Sequence, residues 1–467
     1  MSDFQYMKLF AYIFIITLPL LANAGVARAE IVPWRLQEAL ALPTWLTLSG
    51  SYRTRYETLD TQFRAGRNGS DQILLLRTTL RAAIARGPFT VVGELLDALA
   101  ALDDRGTPIS TGLVNTAELL QGFLRWQGAN VLGLDGASTA TIGRFTMDIG
   151  SRRFVARNRF RNTINAFTGI DWQWQGKNGR QLRAFATLPV NRKPNTVLAL
   201  RHNDAEFDEE DSGVKFWGLY LTEKFSWGDH SELFYFGLDE DDSNGRRTRN
   251  RELSTIGFRL YRKPRRSAFD YQVESVFQFG ESRSSRLSTN VTDLDHFAHF
   301  QRAELGYSFA HNWRPRLLAQ YDYASGDDRP IDGANERFDT LFGARRFDFG
   351  PTSIYGPFAR ANINSPGLRL ALKPASSVSS FIAYRAYWLA SKRDAWTTSG
   401  VCDVSGGSGR FIGHQVELRI RWEAAPENIR IEGGVAHLFA GSFIHDASIS
   451  NRQGDATYLY SQIGFSF

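Results

Sequence analysis

Apolar and polar positions alternate with a period of two in stretch after stretch of this chain. In residues 46–57, Leu46, Leu48, Gly50, Tyr52, Thr54 and Tyr56 fall on one face. Thr47, Ser49, Ser51, Arg53, Arg55 and Glu57 fall on the other. That period belongs to a strand with one apolar and one polar face. Residues 269–280 repeat it, with Phe269, Tyr271, Val273, Phe277 and Phe279 against Asp270, Gln272, Glu274 and Gln278. In 413–422 the apolar set is Val416, Leu418, Ile420 and Trp422, opposite Gln415, Glu417, Arg419 and Arg421. In 140–149, Phe145, Met147 and Ile149 oppose Arg144 and Asp148.

The pattern predicts strands over 46–58, 71–86, 88–98, 116–127, 138–149, 163–175, 180–190, 213–225 and 231–239. It continues over 251–263, 268–281, 297–309, 315–325, 365–373, 377–390, 410–423, 428–440 and 456–467. Short connections follow the even strands, several carrying Gly or Pro, as turns require. Long polar connections, 191–212 and 326–364 among them, follow the odd ones. An even strand count with short turns on one side and long loops on the other is the pattern of bacterial outer-membrane barrels. The expected fold is therefore all-β: a transmembrane antiparallel barrel of about 18 strands, with short periplasmic turns and long extracellular loops. The stretch 365–373 alternates least clearly, and without it the count is sixteen. Closure leaves no strand edge unpaired in lipid.

The ends of the chain agree with delivery to the outer membrane of a Gram-negative bacterium. Lys8 precedes an apolar run over 9–21, followed by the small-residue sites Ala22-Asn23-Ala24 and Ala27-Arg28-Ala29. We read 1–29 as a cleaved signal peptide, with Ala24 as the alternative cleavage point. The run is too short to span a bilayer as a helix, which takes ~20 residues. Residues 30–45 form a short N-terminal segment, and 46–467 form a single barrel. The alternating C-terminal strand closes on Phe467, the kind of ending that the barrel assembly machinery engages. Lipid and lipopolysaccharide are the expected surroundings. Aromatics make up 13% of the chain, and Tyr52, Tyr56, Trp172, Trp174, Tyr321, Tyr323 and Trp422 suit membrane girdles. Cys402 is the only cysteine, which excludes an internal disulfide.

Charge then assigns the faces. An Arg on the lipid face near the midplane costs about 2–4 kcal/mol. Parity therefore sends Arg53, Arg55, Arg77, Arg81, Arg125, Arg144, Arg183, Arg259, Arg302, Arg369, Arg385 and Arg419 to the lumen. Asp148, Asp171, Glu274, Glu304, Asp322, Glu417 and Glu432 are acids of the same parity. The arginines outnumber the placeable acids, which predicts an electropositive, anion-selective constriction; the competing structural reading is a set of Arg–carboxylate ladders bracing the wall. Arg152, Arg153, Arg157, Arg159 and Arg161 cluster in the connection after the fifth strand, and we expect that loop to fold towards the pore. The acidic run 204–211 is its expected counter-charge.

Several stretches carry a signal beyond alternation. They include Tyr271-Gln272-Val273-Glu274, Glu304-Leu305-Gly306-Tyr307, and Tyr321-Asp322-Tyr323-Ala324-Ser325-Gly326-Asp327. Phe338-Asp339-Thr340-Leu341-Phe342, Tyr387-Trp388-Leu389-Ala390 and Gly413-His414-Gln415-Val416-Glu417 extend the set, with Gly143-Arg144-Phe145 and Arg161-Asn162 in the first half. Together these stretches resemble the alginate-export family of outer-membrane barrels. The resemblance implies an eighteen-stranded barrel whose arginine-rich lumen, Arg161 included, passes an acidic polysaccharide such as alginate or a similar uronate polymer; periplasmic export partners are a further expectation. The alternative is a substrate-selective porin for small anionic solutes. One departure is visible: the best-known exporters plug the lumen with a long periplasmic turn near the last strands, and here 424–427 is short.

Enzyme chemistry has little to stand on. Eight histidines offer few bases near a nucleophile. Asp241-Asp242-Ser243-Asn244-Gly245 lacks the closing Glu of a calcium loop. No phosphate-binding glycine loop occurs. We expect no catalytic residues, no metal, no cofactor and no nucleic-acid partner.

Overall fold

The computed structural model describes residues 32–243, 246–447 and 454–467. The signal-peptide reading of 1–29 lies outside them. Eighteen strands form the wall. The first nine are β1 Leu46–Asp60, β2 Asp71–Arg86, β3 Phe89–Ala101, β4 Asn115–Ala129, β5 Gly136–Phe145, β6 Phe167–Gly176, β7 Gln181–Asn191, β8 Val214–Lys224 and β9 Asp229–Glu240. The rest are β10 Glu252–Arg262, β11 Ala268–Ser282, β12 Leu294–Ser308, β13 Arg316–Ala324, β14 Ile363–Ala375, β15 Val378–Trp388, β16 Phe411–Ala425, β17 Ile429–Ala440 and β18 Ala456–Ser466. Each pairs antiparallel with its neighbours. The barrel closes where β18 pairs β1, from Ser51 opposite Ser466 to Asp60 opposite Thr457. The weak stretch at 365–373 is a full strand, paired on both sides.

Alternation works here with the opposite sense to a water-soluble sheet. On β11, Phe269, Val273, Phe277 and Phe279 are exposed, while Asp270, Gln272, Glu274 and Gln278 are buried. Apolar side chains face outward to lipid and polar ones face the lumen, as a spanning barrel demands. Among the described residues no helix is long and apolar enough to cross a membrane. Short turns occupy one rim. There a four-residue helix, Leu36–Ala39, leads into β1, and Trp34 donates its backbone N–H to Asn428 Oδ1 (2.8 Å). Phe467 and Gly50 exchange two backbone hydrogen bonds at the same rim (2.8 and 3.0 Å).

One part of the sequence reading changes. The predicted strands over 138–149 and 163–175 are cut back to β5 and β6, and 146–166 leaves the wall to fold inward. Phe145, Met147 and Ile149 form no lipid stripe. All three are buried in the internal apolar cluster. Left-handed backbone at Gly150 (φ +50°), Arg152 (φ 62°) and Asn158 (φ 62°) lets the chain turn in.

Loop 325–362 also enters the barrel and docks on the first. Phe342 N–H donates to the Phe154 carbonyl (2.9 Å), Ala344 N–H to Arg152 (2.9 Å), and Ala156 N–H to Phe342 (3.2 Å). The approach is so close that a Cβ on Gly343 would lie 1.6 Å from the Arg153 carbonyl. Aromatic packing holds the pair to the wall. The Phe154 ring is 5.7 Å from Phe234 and 5.9 Å from Phe300, and Phe342 is 4.9 Å from Phe216.

Candidate functional site: the constricted lumen

The inserted loops bring together lumen residues that parity alone placed, and they divide them into two regions. The first is a buried knot of charge. Asp348, from loop 325–362, takes ion pairs from Arg153 of the other loop (3.0 Å), from Arg302 on β12 (3.1 Å) and from Arg360. Arg302 also meets Asp322 on β13 (2.5 Å) and Glu304. Arg153 reaches Glu274 on β11 (2.6 Å), and Arg385 on β15 reaches Asp322 (2.6 Å). Four guanidiniums face four carboxylates, so the knot is neutral. Its members are almost wholly buried apart from Glu304. Burial of this kind is tolerated only when every charge is paired and hydrogen-bonded.

The second region is a vestibule of about 740 Å³ that opens at the short-turn rim and runs up to the inserted loops. Nine arginines line it, with three glutamates. Many of these charges are paired. Arg421 meets Glu432 (2.5 Å), Arg430 meets Glu423 (2.7 Å), and Arg346 meets Glu417 (2.6 Å). Arg157 meets Glu94 (2.5 Å) and Arg159 meets Asp148 (2.9 Å). Four are not. Arg53 donates only to neutral acceptors, the carbonyls of Arg159 (3.0 Å), Phe160 (3.1 Å) and Arg161 (3.3 Å) and the amide oxygen of Asn162 (3.0 Å). Arg77 donates to the Arg161 carbonyl (3.1 Å). Arg152 lies over the Phe347 ring (5.1 Å) and Arg419 over Phe381 (4.6 Å). Among the described residues, none of these four has a carboxylate at ion-pair distance.

The remaining predicted residues take several roles. Arg55 pairs with Glu57 (2.6 Å) and donates to the Phe160 carbonyl (2.6 Å), so with Arg53 and Arg77 it holds the tip of loop 146–166. Arg183 pairs with Asp171 (2.6 Å) and Arg259 with Glu232 (2.9 Å), bracing the wall. Arg369 donates to the Phe347 carbonyl (3.0 Å) and so supports the second loop. Arg125 lies over Phe123 (5.1 Å), and Arg81 stands opposite Glu94 in the β2–β3 register. Arg161 is half-buried in the inserted loop. Burial, together with the positive charge of Arg192 and Arg345, pushes its guanidinium down to about 9. It therefore still carries a proton at neutral pH.

Arg144 departs from the expectation. It shares the face of the exposed Ile142, at the long-loop end of β5. There Glu118 (2.5 Å) and Glu210 (2.8 Å) hold it. The acidic run 204–211 likewise serves Arg144, Lys193 and Arg246 rather than the arginines of loop 146–166. Asp348, Arg346 and Arg360 were not singled out in sequence. Their only local signal is the dense charge of Arg345-Arg346-Phe347-Asp348. Among the described residues no cluster of His, Cys, Asp or Glu could hold a metal.

The sequence profile described as alginate export matches residues 44–456. Solved structures of similar fold include three from Pseudomonas aeruginosa. OpdQ is 14% identical, with a TM-score of 0.55, over 90% of this chain and 97% of its own. OccK9 (OpdG) is 12% identical, with a TM-score of 0.58, over 90% and 98%. OccK8 (OprE) is 10% identical, with a TM-score of 0.56, over 90% and 98%. At these identities the likeness is one of fold. No curated protein matches the chain.

Proposed function

The chain belongs to the alginate export family of outer-membrane barrel channels, and from that premise we propose that its lumen selects anions and passes an acidic polysaccharide of the uronate type in a Gram-negative outer membrane. One observation carries the reading: Arg53, Arg77, Arg152 and Arg419 reach the vestibule with no carboxylate partner. Arginine stays charged at any working pH, and its planar fork matches a carboxylate. Several such groups in one passage engage successive uronates of a polymer, while partial occupation by carbonyls and rings keeps each contact weak enough to release. Conduction requires both entry and exit to be favourable.

Planar-bilayer recordings test this. Uronate oligomers added on the short-turn side should block current, and block should strengthen with each added sugar. Block that does not grow with length would assign the pore to small anionic solutes. Cation preference in the parent channel would reject anion selection altogether.

A further inference from the structure

The short-turn rim is not uniform in charge. At the β6–β7 turn, Lys177 pairs with Asp135 (2.9 Å) and Arg180 with Glu223 (2.5 Å). At the β16–β17 turn, Arg35 pairs with Glu427. One arc differs. The β10–β11 turn (263–267) and the β12–β13 turn (309–315) contain no acid and bring together Lys263, Arg265, Arg266 and Arg314. All four are exposed, and none has an ion pair among the described residues. The neighbouring Arg262 and Arg316 are already satisfied by Asp229 (2.6 Å) and Asp270. The register sets the two turns side by side, because Ser267 N–H donates to the Ser308 carbonyl (2.8 Å). Between them lies a recess of about 460 Å³ lined by Arg265, Arg266, His311 and Arg314.

An apolar feature borders this recess. Phe269, Tyr307 and Phe309 pack in series on the lipid-facing parity, tilted and then edge to face, with centroids 4.8 Å apart at each step. Phe269, Phe309 and Trp313 are exposed. Exposed aromatics at a strand end mark the membrane–water boundary. The basic recess therefore lies at headgroup depth, with an apolar path for acyl chains running up the wall beside it. We propose that this turn pair binds the phosphate-bearing headgroup of an anionic phospholipid in the periplasmic leaflet. Guanidinium forks bind a phosphate bidentately, and basic recesses at a membrane rim attract anionic headgroups. The inference stands apart from the conduction pathway, since none of these residues lines the vestibule.

The test is native mass spectrometry of the full barrel, released from mixed micelles of phosphatidylglycerol and phosphatidylcholine. The parent should retain phosphatidylglycerol in preference. The triple variant R265Q/R266Q/R314Q should hold it on the order of a hundred-fold more weakly. R265Q alone should lose several-fold, and unchanged mobility on unheated gels confirms that the barrels are folded. K177Q/R180Q, whose charges are already paired, should retain lipid like the parent. Equal retention by parent and triple variant overturns the proposal, as does equal retention of both lipids by the parent. A loss in K177Q/R180Q as large as in the triple variant overturns it too. Inorganic phosphate in excess should not displace the lipid. Displacement would make this a free-anion site and end the lipid assignment.

Discussion

The knot around Asp348 and the vestibule below it use the same residue type for opposite ends. In the knot, Arg153, Arg302, Arg360 and Arg385 are matched by Asp348, Asp322, Glu274 and Glu304, and charge is spent on holding two loops inside a barrel. In the vestibule, Arg152 and Arg419 lie against rings with no carboxylate, and Arg53 and Arg77, also without one, donate to the carbonyls of loop 146–166. An arginine's role in this lumen is therefore set by whether a carboxylate reaches it. Paired buried charge braces the loops, and unmatched charge facing the vestibule is what the proposed anion selection would draw on.

The largest effect should come from breaking the knot. Asp348→Asn leaves three buried guanidiniums short of a counter-charge, which costs about 3–5 kcal/mol. We expect a lower unfolding midpoint in denaturant and larger, noisier single-channel conductance as loop 325–362 loosens. Parent-like stability and conductance would remove the distinction between the two regions.

Neutralising the vestibule should do the reverse. Arg152→Gln with Arg419→Gln should reduce anion preference in reversal-potential measurements. Stability should stay within roughly 0.5 kcal/mol of the parent, since neither residue has an ion pair to lose. Salt sharpens the contrast. The Debye length falls from ~10 Å at 0.1 M to ~3 Å at 1 M, so anion preference should fade with salt while the buried knot is largely unaffected. Selectivity unchanged by both substitutions would return the vestibule arginines to a purely structural role.

The smallest effect belongs to neither region. Asp208, in the long loop after β7, is pushed up to about 6 by burial, with nearby Glu118 adding to it against the Lys193 N–H bond (2.8 Å). Its folded form holds a proton that the unfolded chain releases near 3.8. Stability of that loop therefore falls as pH rises from about 4 to 6, then levels off. Hydrogen exchange at the Lys193 amide, corrected for the intrinsic pH dependence, should show protection falling over that window while vestibule selectivity does not change. Protection that rises over the same interval would contradict the assigned shift.

Much of this was legible in the chain. Period two located every strand, including the weak one at 365–373, because a spanning strand has only two faces and lipid punishes charge on one of them. The misplaced residue shows the limit. Phe145, Met147 and Ile149 satisfy the same pattern whether their stripe faces lipid or an internal apolar cluster, and the choice between them reverses Arg144. The knot was harder still, since Arg153 and Asp348 stand 195 positions apart with no local sign of each other.

The sequence by itself determined the barrel and the strands that build it, with the count open between sixteen and eighteen, since these follow from local alternation against a two-sided environment. Only the tertiary structure decided which arginines are neutralised. Two long loops, 146–166 and 325–362, had to fold inward and meet before Asp348 could claim Arg153, Arg302 and Arg360 and leave Arg152 and Arg419 without an acid. Pairing depends on distances of about 3 Å between residues far apart along the chain, and no periodicity encodes those.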